Sequence, residues 1–220
     1  MYNYSCNITL VIFKRKEFDM PPKAKFTKQK ILETALNIVR ESGIEVLSAR
    51  TLGTALGCSP QPIFSYFKNM EDVKNEVISA AKSIYAKYIN EGLKKSPAFK
   101  GVGMKYIEFA KDEPKLFELL FMSDVNKSDI PNFLPAKDDN SPFVLKTIMT
   151  DYNLDEEKAR TLYNHMAVYA NGIAVLFAKN ECIFNMEQVS FMLTDVFKAI
   201  FISLKNNNSN KNNRSDYIYA

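Results

Sequence analysis

The stretch LSARTLGTALGCSPQPIFSYFKNMEDV, residues 47–73, decides the fold of this chain. It contains two short segments that are separated by Gly57 and that each begin after a serine. Serine side chains cap helix N-termini, and glycine commonly ends a helix in the left-handed conformation. Two short helices joined by a tight turn form a helix-turn-helix. The stretch therefore predicts this motif, with Ser48 capping its first helix and Ser59 capping its second.

The apolar residues of this stretch indicate how the motif packs. Those expected to face the core are Leu52, Ala55, Leu56, Ile63, Phe64 and Phe67. Ala55 is expected to be small because two helices cross closely there. Upstream, residues 26–42 carry their apolar side chains on one helical face, with Thr27 as the N-cap and Gly43 at the end. Three helices are thus predicted to share one core.

The polar side chains on the remaining faces are candidates for DNA contacts. They are Ser48, Arg50, Thr51, Ser59, Gln61, Ser65 and Tyr66. Arginine can read guanine and glutamine can read adenine, and helix N-termini bind phosphates. The alternative is an ordinary solvated surface. A basic bias favours DNA, because residues 1–70 hold 10 Lys/Arg against 5 Asp/Glu while residues 71–220 hold 19 against 20.

Residues 27–73 resemble the helix-turn-helix of the TetR/AcrR family of transcriptional regulators. The resemblance rests on the capped first helix, the Ala55-Leu56-Gly57 turn, the Tyr66-Phe67 pair, and the Lys68-Asn69 that precedes an acidic helix start. It implies an all-α protein with an N-terminal three-helix helix-turn-helix DNA-binding bundle and a C-terminal α-helical ligand-binding and dimerisation domain. It also implies that Lys68 contacts the DNA backbone.

The recognition helix departs from the family pattern at its start. Pro60 and Pro62 stand where relatives usually carry Lys, Gly or Thr. Prolines in a first turn remove no intrahelical hydrogen bond, so the helix is still expected to form. They do remove N–H donors, and we therefore expect fewer phosphate contacts and a sequence preference that differs from that of relatives.

The rest of the chain is also expected to be helical, since it has few glycines and prolines and no long strand-like alternation. The predicted helices are 71–93, 104–111, 114–122, 143–150, 155–178 and 186–204, with a linker at 95–103 and a loop at 123–142. The predicted units are an extension at 1–22 that can be disordered in solution, a DNA-binding domain at 23–70, a ligand-binding and dimerisation domain at 71–205, and a disordered polar tail at 206–220. Helix 71–93 is expected to be the only rigid link between the two domains.

Two of these helices are predicted to form a homodimer. The second half of 155–178 is apolar nearly all round, and 186–204 is similar. A helix of this kind is buried on two sides, and in a small domain the second side is expected to be a partner subunit. A four-helix interface follows, in which Gly172 would allow close backbone approach.

The aromatic and methionine residues of the second domain predict a ligand pocket. The candidates are Tyr106, Phe109, Phe117, Phe121, Tyr163, Met166 and Tyr169. Such side chains form adaptable apolar cavities, although the same pattern also describes a plain core. His165 is the sole histidine, and we expect it to be packed or solvent-facing rather than to contact a ligand.

Other features narrow the classes of function. The odd, widely spaced Cys6, Cys58 and Cys182 indicate a reducing cytoplasm. One histidine, no carboxylate cluster and no Gly-rich phosphate loop argue against a metal, a cofactor and an enzyme. No apolar run approaches the roughly 18 residues of a membrane span. We therefore expect a repressor that binds operator DNA as a dimer and is released by a small apolar or amphipathic ligand. A regulator of the same fold controlled by a protein partner is the alternative.

Overall fold

The computed structural model describes residues 26–123 and 141–206, and within these two ranges all regular structure is helical. This confirms the all-α expectation. The helices are α1 (Lys28–Ser42), α2 (Ala49–Leu56), α3 (Met70–Leu93), α4 (Ala98–Asp112), α5 (Pro114–Phe117, continued by a π-helical turn over Glu118–Met122), α6 (Ser141–Tyr152), α7 (Glu156–Ala178) and α8 (Met186–Asn206). The predicted extension at 1–22, most of the loop at 123–142 and nearly all of the tail at 206–220 lie outside the described residues.

The ends of α1 and α2 form as their cap residues predict. The Thr27 hydroxyl accepts a hydrogen bond from the backbone N–H of Lys30, and Gly43 follows the last residue of α1. At the start of α2, Ser48 and Thr51 each accept a hydrogen bond from the other's backbone N–H. Gly57 ends α2 in the left-handed conformation, at φ 67°. Local hydrogen bonds of this kind fix the first part of the motif.

The third helix of the predicted motif is absent, and a short 3₁₀ turn over Ile63–Ser65 replaces it. A proline disfavours the helical conformation for the residue that precedes it, and Pro60 and Pro62 act in this way on Ser59 and Gln61. The Ile63 N–H instead donates to the Pro60 carbonyl at 3.1 Å, which closes a tight turn. Ser59 therefore caps no helix, and our expectation that the helix would tolerate both prolines is wrong.

The shorter turn also changes which side chains reach the core. Ile63 and Phe67 are buried as predicted, but Phe64 is 43% exposed. Ala55 is exposed as well, so it is not the residue at the close approach. The position without room for a side chain is Gly53, where an added Cβ would lie 2.9 Å from the carbonyl oxygen of Cys58. The close contact there is with the backbone of the turn that follows α2, so the prediction of a close helix crossing at Ala55 is wrong.

The segment predicted as a linker is largely helical. α4 begins at Ala98 rather than at residue 104, and Gly101 near its start allows it to cross α3 closely. A Cβ added at Gly92 of α3 would lie 2.7 Å from Cα of Val102, and one at Gly101 would overlap the Gly92 carbonyl oxygen. Further along the chain, α6 forms where helix 143–150 was predicted and is longer by two residues on each side.

The N-terminal helical unit, which consists of α1, α2 and the turn after them, is joined to the remaining helices at two places. α3 passes from one to the other, as predicted. In addition, α1 packs against α5, and the Arg40 guanidinium donates two hydrogen bonds, at 2.9 and 2.8 Å, to the two carboxylate oxygens of Glu113. The expectation that helix 71–93 is the only rigid link is therefore wrong.

Candidate DNA-binding surface and ligand cavity

Four of the predicted DNA-contact residues are exposed and uncommitted. The side chains of Arg50, Gln61, Ser65 and Lys68 are exposed, and none has a hydrogen-bonding or ion-pairing partner within 26–123 and 141–206. Ser59 is also exposed. These groups can bind an external partner without first breaking an internal contact.

Three other predicted residues already hold the motif together. Ser48 and Thr51 form the capping box of α2, and the Thr51 hydroxyl also donates to the Val46 carbonyl at 2.8 Å. The Tyr66 hydroxyl donates to the carbonyl of Phe26, just before α1, also at 2.8 Å. These contacts give the three residues a structural role, whatever they contribute to DNA binding.

Lys68 sits where the 3₁₀ turn passes into α3. Its backbone N–H donates to the Asp72 carboxylate at 3.0 Å, and the Asn69 side chain accepts from the Asp72 N–H at 2.9 Å. These reciprocal bonds fix the backbone while the Lys68 side chain remains in solvent. An ammonium group is thus held beside a helix N-terminus, and both favour an anion.

Phe64 is a surface residue that sequence reasoning placed in the core. Its ring is exposed between the free Gln61 and Ser65 side chains on the same turn. The signal that could have identified it is the Pro60–Pro62 spacing, because a 3₁₀ turn places its residues differently from an α-helix.

A cavity of about 240 Å³ lies in the second domain between α3, α4, α6, α7 and α8. We refer to it as the central cavity. Its ring-bearing lining residues are Tyr85, Phe99, Tyr106, Tyr152, Tyr163 and Phe197, and its larger aliphatic ones are Ile89, Val102, Val144, Met166 and Leu193. The chemistry of this wall favours an apolar ligand.

Three of the seven predicted pocket residues line the central cavity, namely Tyr106, Tyr163 and Met166. The other four, Phe109, Phe117, Phe121 and Tyr169, do not. Phe109 and Phe117 are fully buried core residues, and the Phe121 ring packs against Phe117 in a tilted orientation with ring centroids 5.1 Å apart. The alternative of a plain core is thus the better description of the α5 region.

Sequence reasoning missed four aromatic residues of the wall, Tyr85 on α3 and also Phe99, Tyr152 and Phe197. Phe99 fell in the segment taken for a linker, whereas Tyr152 and Phe197 lie on α6 and α8. Tyr152 and Phe197 are in ring contact, with centroids 4.9 Å apart, and burial followed by the charge of Asp151 raises the pKa of Tyr152. The wall also holds a buried polar contact, because the Tyr106 hydroxyl donates to the Asn171 side chain at 2.8 Å.

A stripe of exposed apolar surface runs along α7 and α8. Val168 and Phe191 are each 63% exposed, and Leu176 and Ile202 belong to the same set. Gly172, one turn from Val168, faces open space. Ala167, next to Val168 in the chain, is by contrast buried and lines the central cavity.

Other kinds of site find no support in the described ranges. His165 is exposed, and no group of three His, Cys, Asp or Glu side chains is placed there to hold a metal ion. No helix of those ranges is both long and apolar enough to cross a membrane.

Comparison with known proteins gives matches in structure alone. No protein-family model and no curated protein sequence matches the chain. A TetR-like transcriptional regulator from Rhodococcus sp. RHA1 aligns with a TM-score of 0.56 and 12% identity, covering 81% of this chain and 96% of that one. The fatty acid degradation regulator FadR from Bacillus halodurans aligns with a TM-score of 0.50 and 14% identity, covering 83% of this chain and 96% of that one.

Proposed function

Because this chain has the fold of TetR-like transcriptional regulators, we propose that it is a repressor that binds operator DNA as a homodimer and is released by a small apolar or amphipathic ligand. The observation that carries the proposal is the combination of two features. One is α2 with the turn that follows it, which carry free polar side chains, and the other is an apolar cavity joined to them by α3. The proposal includes no catalytic step, cofactor or metal, and places the protein in the cytoplasm.

DNA binding is assigned to the exposed face of the motif. Lys68 supplies a phosphate contact, which fixes register without reading sequence. Arg50 and Gln61 supply base contacts in the major groove, and Ser48 marks the N-terminus of α2 as a second phosphate site. Ser59, Thr51, Ser65 and Tyr66 remain candidates, of which Ser65 has the freest side chain.

The dimer is assigned to α7 and α8. Large apolar side chains are exposed on both α7 and α8, which pack against each other, and exposed apolar patches mark interaction surfaces. A second copy of the chain offers the same stripe, so a two-fold axis would bury both at once in a four-helix interface. Gly172 leaves room for close approach of the partner's helix.

Ligand release is assigned to α3 and α4. Tyr85 and Ile89 belong to α3 and line the central cavity, and the same helix begins beside Lys68. α4 supplies further wall residues and leads directly to Glu113, the partner of Arg40. A ligand that binds better when these helices are displaced would alter the spacing of the two DNA-binding units. Equal affinity for both states would change nothing.

The first experiment measures binding to labelled DNA from the region upstream of the gene, using fluorescence anisotropy. We expect specific, salt-sensitive binding, and Gln61→Ala should lose about 1–3 kcal/mol of discrimination between the operator and a mutated site. Absence of any DNA binding would refute the proposal. Titrating the complex with a compound that raises the melting temperature tests release. A tightly bound compound that leaves operator affinity unchanged would favour control by a protein partner.

A further inference from the structure

Two lysines interrupt the otherwise apolar wall of the central cavity. Lys100 projects from α4 and is half-buried, and Lys198 projects from α8 and is exposed. Neither ammonium forms an ion pair or hydrogen bond with a described residue, and no acidic residue contributes to the described lining. The cavity therefore combines an apolar interior with two uncompensated positive charges that approach it from different helices.

This arrangement has a clear chemical preference. An ammonium group beside an apolar wall binds most strongly to an anion that loses few further water molecules on binding. A charge-assisted hydrogen bond is also stronger than a neutral one. A neutral apolar ligand would leave both charges unpaired, and a cationic one would be repelled. The structural alternative is that both side chains only cover apolar surface with their methylene stems and keep their ammonium groups in water.

The volume limits the apolar part of the ligand. One water molecule occupies about 30 Å³ of liquid, so a cavity of about 240 Å³ accommodates about eight groups of that size. A methylene group is comparable in size. The cavity thus matches a chain of roughly eight to ten carbons.

We propose that the ligand of the central cavity is an amphipathic carboxylate with a medium-length apolar tail, whose carboxylate binds Lys100 and Lys198 while the tail fills the cavity. This inference rests on the proposed function for its regulatory meaning, but the binding site itself can be tested without DNA.

The test compares decanoate, decanol and decyltrimethylammonium by isothermal titration calorimetry on the full chain. We expect decanoate to bind about tenfold more tightly than decanol, and the cation to bind weakest. In a series of carboxylates, affinity should rise about fourfold per methylene and stop rising near ten carbons. Equal affinity for decanoate and decanol, or no binding of any of the three, would overturn the proposal.

The lysines are tested with the double variant Lys100→Gln/Lys198→Gln, which removes both charges and leaves a shorter, polar side chain at each position. It should bind decanol as the wild type does and lose the preference for decanoate. Lys82→Gln, on an exposed position of α3 outside the cavity, is the matched control and should keep the preference. A double variant that retains the preference would overturn the proposal. So would a Lys198→Gln variant that weakens the dimer and leaves decanoate binding unchanged, since Lys198 would then pair across the interface.

The two proposals fail in different ways. If operator DNA binds but no carboxylate preference exists, the ligand class is wrong and the repressor proposal stands. If decanoate binds through the lysines but the protein has no affinity for DNA, the site is correct and the repressor proposal is wrong.

Discussion

Two glycines on α4 should respond in opposite ways to the same substitution. Gly101 lies where α4 crosses α3, and an added Cβ there would overlap the Gly92 carbonyl oxygen and lie 2.6 Å from Cβ of Lys95. Gly103 is two residues further on, and its added Cβ would meet only Leu193, at an ordinary 3.7 Å. Both glycines are in the helix interior, so alanine brings the same intrinsic gain at each, about 1 kcal/mol.

The free energies of unfolding should therefore diverge. Gly103→Ala should gain up to about 1 kcal/mol. At Gly101 the neighbour is backbone and cannot rotate away, so the helices must separate, and overpacking of this kind costs about 1–3 kcal/mol. Alanine's higher helix propensity offsets part of this cost. With a cost at the upper end of that range, Gly101→Ala should lower the free energy of unfolding by about 2 kcal/mol.

Urea denaturation followed by circular dichroism measures both variants, and thermal melting provides a second readout. For a chain of this size, 2 kcal/mol corresponds to a fall of about 4–8 °C in melting temperature. A Gly101→Ala protein as stable as the wild type would show that α3 and α4 do not cross this closely. Destabilisation of Gly103→Ala by more than 1 kcal/mol would show that the space near Leu193 is not available.

Four further predictions concern DNA binding, dimerisation and pH. Lys68→Gln should weaken binding to all DNA sequences and reduce the slope of log affinity against log salt by about one per subunit, whereas Lys82→Gln should leave the slope unchanged. Phe64→Ala should lower the affinity for a selected operator, because Phe64 can contact a thymine methyl group. Replacing the operator thymines by deoxyuridine, which lacks that methyl group, should then weaken DNA binding by the wild type but not by the variant. Val168→Glu and Phe191→Glu should produce monomers in light scattering, because each would bury an unpaired charge in the dimer interface. The control Phe143→Glu, at an exposed position of α6, should remain dimeric. A wild-type monomer at micromolar concentration would rule out the interface. Burial raises the pKa of Glu118, but hydrogen bonds from Lys115 and Lys179 outweigh it and hold the pKa below its ordinary value of 4.5. The contribution of this carboxylate to the free energy of unfolding, on the order of 1 kcal/mol, is therefore present at neutral pH and is lost as the pH falls through the lowered pKa. Glu118→Gln should be less stable than the wild type at pH 7 and should lose less stability in acid, and parallel acid titrations of the two proteins would contradict this.

Local signals in the sequence were enough to predict much of the fold. Thr27, Ser48 and Gly57 act through hydrogen bonds or dihedral angles within a few residues, so their roles can be read without knowing the rest of the chain. The predicted third helix does not form because Pro60 and Pro62 restrict the conformation of the residues before them. The lesson is that two prolines at this spacing favour a turn over a helix.

Features that depend on distances between helices could not be predicted in the same way. Gly92 was predicted to lie in helix 71–93 and Gly101 in the linker 95–103, yet the two glycines mark a close crossing of α3 and α4. Tyr106 and Phe109 look alike in an apolar pattern, and the packing of α5 and α8 decides that one lines a cavity and the other is core. Lys100 and Lys198 are far apart in sequence, so nothing local indicates that they share a cavity.

The two attachments of the DNA-binding unit restrict how it can move. A body held at one point can turn in any direction, whereas a body held at two separated points keeps only rotation about the line that joins them. Here one point is α3 and the other is the Arg40–Glu113 pair. In the proposed dimer, the DNA-binding surface of each subunit would then move along a single arc that is fixed by the geometry of that subunit. Breaking the ion pair would allow this unit to rotate in further directions. DNA binding would have to restrict these rotations again, so operator affinity would fall even with the cavity empty.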